Sequence, residues 1–267
     1  MAESAPTLND FIEIPVAHLV TEDEEAVDNF YQDKQAQLLT EVLDCSWPEG
    51  RPFVSAADVG IFATNQEAAV VPDVLLSLGV SFPPDILEKS HRSYFIWHFG
   101  KPPEVVIEIV SNLEGGEDDA KLQRYARIKV PYYVIWDPKM LLSQRRLRIR
   151  QLSGASYVDK VDNWFPEVGL GLCVHRGVYD GMEENWLRWC DQNGQVLLTG
   201  KERADAEAQR ADAEAQRAEA EAQRADAEAS RAEAEAQRAD AEAQRAEAER
   251  ERRLALEARL RELGELP

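Results

Sequence analysis

The sequence predicts an α/β (α+β) domain, a mixed sheet flanked by helices, followed by a long alanine-rich helical tail. Three observations predict it. Up to about Gly200 the composition is mixed, and every Trp, Phe, Tyr and His lies there. Within that part, short runs rich in β-branched residues alternate with stretches of helical period. After Lys201 the chain is almost only Ala, Glu, Asp, Gln and Arg, with Arg recurring every seven residues.

The elements follow in order. Residues 1–24 read as a leader. From Val27 to Cys45, Val27, Phe30, Tyr31, Leu38, Val42 and Leu43 recur at spacings near three and four, the period of a helix with one apolar face. Trp47-Pro48-Glu49-Gly50 ends it with turn chemistry. Asp58–Thr64 and Pro72–Val80 read as the first two strands, and 81–103 as a longer connection with a Pro-Pro pair near each end. Glu104–Ser111 (EVVIEIVS) reads as a strand buried on both faces. Gly115-Gly116 breaks the chain before a helix over Glu117–Lys129, whose acidic first turn suits the helix dipole. Pro131 stops that helix, and Tyr132–Trp136 forms the next strand. Arg145–Leu152 alternates as a half-exposed strand does, and Asn193-Gly194 between two apolar runs predicts a hairpin over Trp186–Leu198. The domain boundaries read 25–199 for the folded part and 200–267 for the tail.

The tail repeat is close to Arg-Ala-Asp/Glu-Ala-Glu-Ala-Gln. Its residues are strong helix formers, and acid–Arg pairs three and four apart add a few tenths of a kcal/mol each. Ala204, Ala208, Ala211, Ala215 and Ala218 begin a 4-3 seam that continues to Ala246; Leu256, Leu260 and Leu263 make a short seam in another register. Two readings stay open: a solvated single helix, and an oligomerising coiled coil.

Charge bounds the partners. The net charge is −20, of which the residues from Lys201 onward carry −6 and the first 200 carry −14. That acidity sits awkwardly with nucleic-acid binding unless the charge is segregated. Cys45, Cys173 and Cys190 lack metal-ligand spacing and suggest a reducing compartment. The first residues lack signal-peptide character, and no run approaches a membrane span, so a cytoplasmic location is expected.

The chemistry concentrates at three residues. Asp73 opens a strand, Glu108 interrupts an otherwise apolar one, and Lys121 lies one turn into the following helix. A buried carboxylate is costly unless paired. A Glu beside a buried cation or at a solvated sheet edge would satisfy that need. So would two carboxylates on neighbouring strands sharing a hard divalent ion. Such an ion acidifies water, and a nearby lysine stabilises charge on phosphorus.

Pro72-Asp73, Glu108-Ile109-Val110-Ser111, Gly115-Gly116-Glu117, Lys121, Tyr125 and the segment VPYYVIWDP at 130–138 resemble a bacterial restriction-endonuclease-like family of the PD-(D/E)XK nuclease superfamily. The resemblance covers about residues 25–175. It implies a restriction-endonuclease-like fold and Mg²⁺- or Mn²⁺-dependent hydrolysis of DNA. Asp73, Glu108 and Lys121 would be catalytic, and Asp73, Glu108 and the Ile109 carbonyl would be metal ligands. The usual lysine place, two residues after the acid, holds Val110, so the lysine would be the displaced Lys121. Glu41 is a further acid, and Glu117 and Asp118 are more simply dipole complements. Arg146, Arg148 and Arg150 alternate onto one strand face, which suits either a phosphate backbone or a solvated surface. The competing functional reading is a catalytically inactive scaffold acting through its tail, with self-association through the domain or the tail.

Overall fold

The computed structural model describes residues 29–47, 50–111 and 117–262. The leader, Val27, Pro48-Glu49, the Gly115-Gly116 break and Leu263 lie outside the described residues.

The order is α1 (Phe30–Ser46), β1 (Phe53–Ala57), β2 (Ile61–Phe62), β3 (Val74–Leu78), β4 (Tyr94–Phe95), α2 (Ile96–Phe99), β5 (Val105–Ile109), α3 (Glu117–Arg127), β6 (Tyr132–Trp136), β7 (Leu147–Ser153), β8 (Ser156–Asp159), β9 (Trp164–Phe165), β10 (Leu170–Tyr179), β11 (Met182–Cys190) and α4 (Gly200–Glu262). A six-stranded mixed sheet runs β1-β3-β5-β6-β7-β8, parallel only between β5 and β6. The crossover through α3 makes that one parallel pair, because parallel neighbours need a long connection.

Two apolar layers hold the sheet. On one face α1 and the β9-β10-β11 sheet cover Val74, Val105, Ile107, Ile109, Val134 and Trp136. On the other face Tyr125 of α3 and Tyr94 of β4 pack with Val106, Tyr133 and Ile135. Every residue of β3, β5 and β6 is buried, so these strands read as continuous apolar runs rather than as alternation. Glu108 is therefore an exception inside the most apolar layer of the molecule.

α1 starts at a capping box. Asn29 accepts from the Gln32 backbone, and the Gln32 side chain accepts from the Asn29 backbone. Further along, the buried Gln35 pairs with the backbone of β11. Its Nε2 donates to Leu187 O at 2.9 Å, and its Oε1 accepts from Leu187 N at 2.8 Å.

Three expectations need correction. The first sheet strand is β1, upstream of the expected Asp58–Thr64; that segment supplies only β2, which pairs with β4 in a separate parallel ribbon. The sequence hides β1 because FVSAA has just one fully buried residue. The connection 81–103 is not plain loop, since it contains β4 and α2. The long hairpin is β10–β11, nine pairs closed at Asp180-Gly181, where both residues take positive φ. Asn193-Gly194 makes only a tight turn after β11, with a single bridge between Cys190 and Val196. There Asp191 Oδ1 takes up the N–H groups of Asn193 and Gln195.

The chain divides into two compact units, with the boundary between Lys201 and Glu202. In the second, α4 is one continuous helix of 63 residues, and nearly every described side chain is exposed. No described helix is long and apolar enough to cross a membrane.

Candidate metal and active site

The site forms where β3 begins and β5 ends. Val74 pairs with Ile107 in the antiparallel ladder, so the register places Asp73 opposite Glu108. Pro72 has no N–H and cannot extend the ladder. The Asp73 side chain takes over instead: its Oδ2 accepts from the backbone N–H of Ile109. On the other side, the N–H of Asp58 donates to Asp73 O at 3.2 Å, and Asp58 turns the chain with φ +54°.

Glu108 points toward α3. Lys121 Nζ lies 2.9 Å from its Oε2, and the Tyr125 hydroxyl donates to its Oε1 at 2.7 Å. These partners stand four residues apart, so one helix face delivers both. Glu108 is 8 % exposed. Burial, reinforced by the negative charge of Asp73, pushes its carboxyl up to about 8; Lys121 and Tyr125 pull the other way without overcoming it. Burial thus favours the protonated carboxyl, and the Lys121 contact at 2.9 Å favours the charged one. Burial and the same carboxyl also push the Tyr125 hydroxyl up, which keeps it a donor.

The donors expected from the sequence, the Asp73 and Glu108 carboxylates and the Ile109 carbonyl, are all hard oxygen. No group of three or more His, Cys, Asp or Glu that could hold a metal occurs among the described residues. Mg²⁺ takes one or two carboxylates and keeps the rest of its shell for water and phosphate. Burial raises Glu108 most and the Asp73 charge adds to it; that second contribution is the one a divalent ion between the two carboxylates would offset.

The other candidates are placed as follows. Val110 donates its N–H to Trp136 O at 2.8 Å and packs under α3, leaving the charge at that acid to Lys121. Arg148 pairs with Ile135, the residue that pairs with Glu108, so one row runs Glu108–Ile135–Arg148 across the sheet. Arg150 follows opposite Tyr133 and lies 3.8 Å from Asp159. Arg146 donates to Pro138 O at 3.0 Å. All three are half-buried rather than fully solvated. Glu41 is far from this row in its contacts, accepting from Tyr179 at 3.0 Å. Asp137 is buried and caps its turn through the N–H groups of Leu141 and Leu142. The side chains of Glu117 and Asp118 lie outside the described residues.

Sequence reasoning named Tyr125 only as part of the resemblance, with no role for its hydroxyl, and missed Gln32. Tyr125 was findable, because it lies one turn beyond Lys121 on the same face. Gln32 was not, because nothing in its sequence neighbourhood marks it; its partner is 77 residues away.

A search of the curated proteins finds no match. Among solved structures, one similar chain is a protein described as "a putative nuclease belonging to DUF820" from Anabaena variabilis ATCC 29413. It is 13 % identical, the match covers 52 % of this chain and 73 % of that one, and the TM-score is 0.36. A family profile described as "Putative restriction endonuclease" matches residues 24–169, more than half of the chain and the whole of the site above. By that match the chain belongs to the Uma2 family.

Proposed function

We propose that this protein is a divalent-cation-dependent deoxyribonuclease that hydrolyses phosphodiester bonds with Mg²⁺ or Mn²⁺. The observation that carries the reading is Glu108: a carboxylate buried in an apolar strand, facing Asp73, with a lysine and a tyrosine on its two oxygens. Asp73, Glu108 and the Ile109 carbonyl would hold the cation. A bound Mg²⁺ supplies positive charge at the phosphate and makes water acidic enough to attack it. Lys121 would then leave the Glu108 carboxylate to the cation and turn its ammonium toward the attacking water or the phosphate oxygens. Tyr125 keeps Glu108 oriented.

Charge distribution supports DNA as the substrate. Residues 121–150 hold nine Lys and Arg against the single acid Asp137. They span α3, β6 and β7, which flank the site, so the acidic chain carries a local cationic stretch. Arg148 and Arg150 would contact phosphates on one side of the scissile bond.

The test is cleavage of plasmid, linear and single-stranded DNA by the full chain with Mg²⁺ or Mn²⁺. Asp73→Asn and Glu108→Gln, checked for folding by circular dichroism, are expected to lose roughly a hundredfold or more in rate, as loss of a charge-stabilising group does. Cleavage that survives both substitutions overturns the reading. The long exposed α4 favours one alternative, a nuclease-fold scaffold that works through its tail. Inactivity on every DNA form, with oligomeric state fixed by the tail alone, would select that alternative.

A further inference from the structure

Gln32 is a polar side chain that α1 sends inward at its own start, and it is 7 % exposed. Its orientation is not a matter of choice. Oε1 accepts from the Asn29 backbone N–H at 3.2 Å and from Asn29 Nδ2 at 2.9 Å. Two donors on that atom make it the oxygen and leave the amide nitrogen at the other position. That nitrogen, Nε2, donates to the carbonyl of Ile109 at 3.3 Å. The Ile109 residue is thus held at both polar atoms, its N–H by Asp73 and its C=O by Gln32.

We propose that Gln32 is a positioning residue of the cation site, fixing the direction in which the Ile109 carbonyl presents its second lone pair between Asp73 and Glu108. A carbonyl oxygen has two lone pairs, and the amide occupies one. The remaining one is then aimed by α1, a helix otherwise engaged with the opposite face of the sheet. The capping box ties the amide to the first turn of α1, so the ligand geometry is set by a rigid element rather than by the end of β5. This inference rests on the metal-dependent reading above and adds a residue from a third element to it.

The competing role for Gln32 is helix capping alone, which moves stability and nothing else. The test therefore reads the binding of Mn²⁺ alone to the full chain, by electron paramagnetic resonance titration without DNA. Gln32→Met removes both the cap and the donor, and is expected to weaken Mn²⁺ binding by about tenfold or more, as loss of a group that orients a ligand does. Gln32→Glu keeps the cap, since Glu serves in a capping box as Gln does. It also loses the donor and sets an oxygen against the Ile109 carbonyl, so Mn²⁺ binding is expected to weaken as in Gln32→Met while the melting temperature stays near that of the parent. Weaker Mn²⁺ binding in both variants, with stability lost only in Gln32→Met, supports the proposal. Affinities within twofold of the parent in both, with only the melting temperature lowered, overturn it and leave the metal site standing. Mn²⁺ binding that is absent in the parent, or unchanged by Asp73→Asn, overturns this proposal and the metal-dependent reading together.

Discussion

At the scale of single residues, burial and the neighbouring Asp73 charge hold the proton on Glu108 to well above the usual carboxylate range. Glu108 ionises at about 8 in the fold against an ordinary value of 4.5. Between those two pH values the folded state binds a proton that the unfolded chain has released, so stability falls as pH rises. The contribution is fully present below about pH 4.5 and is lost as pH passes through about 8. Urea melts of the metal-free protein from pH 5 to pH 9 are expected to show that decline, and Glu108→Gln is expected to flatten it. A parent curve as flat as that of Glu108→Gln would show that Lys121 compensates the buried charge fully. Saturating Mn²⁺ is expected to remove the decline, because the ion takes the place of the proton.

At the scale of elements, α1 reaches the domain through polar as well as apolar groups. Leu38, Leu39, Val42 and Leu43 fill the core, while Gln35 completes two hydrogen bonds for the backbone of Leu187. Gln35→Ala leaves a buried N–H and a buried C=O without that partner, which is expected to cost about 3 kcal/mol. Denaturant melts measure it, and a loss below about 1 kcal/mol would mean that water replaces the amide. The elements also show why sequence pattern succeeded unevenly. β5 and β6 were legible because every position is buried and apolar save one. β1 was not, because at the sheet edge its residues meet neither solvent nor core consistently. The β10–β11 turn was available in Asp180-Gly181, but the equally strong Asn193-Gly194 drew the assignment. Both pairs prefer positive φ, and only the lengths of the partnering strands distinguish a hairpin from a tight turn.

At the scale of the whole molecule, two units follow different physics. The first is held by a two-sided core. The second, α4, is held by propensity and by pairs along its own surface, such as Arg253–Glu257 at 3.7 Å. The alanine seam is flanked on one side by Asp205, Asp212 and Glu219 and on the other by Glu207, Glu214 and Glu221, a pattern that continues along the repeat. Pairing two copies through that seam sets acid against acid. An isolated peptide of residues 202–267 is therefore expected to be helical at neutral pH with a signal independent of concentration, and to associate on acidification. Concentration-dependent helicity at pH 7 would establish the coiled coil instead. Ending the chain after Lys201 is expected to leave the melting temperature of the first unit within about 2 °C, since surface changes alter stability little.

By itself the sequence determined the class of fold, the composition boundary near residue 200 and the helical tail, and it offered Asp73, Glu108 and Lys121 as candidates for the chemistry. Each is written locally, as a period, a repeat, or a charge where apolar residues belong. Only the tertiary structure decided what those residues do to one another. The antiparallel register of β3 and β5 sets Asp73 opposite Glu108. The crossover through α3 brings Lys121 and Tyr125 onto the same carboxyl. The packing of α1 delivers Gln32 to Ile109 across 77 residues of chain. Burial and pairwise charge depend on distances that no local pattern encodes, so the proton affinity of Glu108 and the Gln32–Ile109 hydrogen bond belong to the fold and not to the motif.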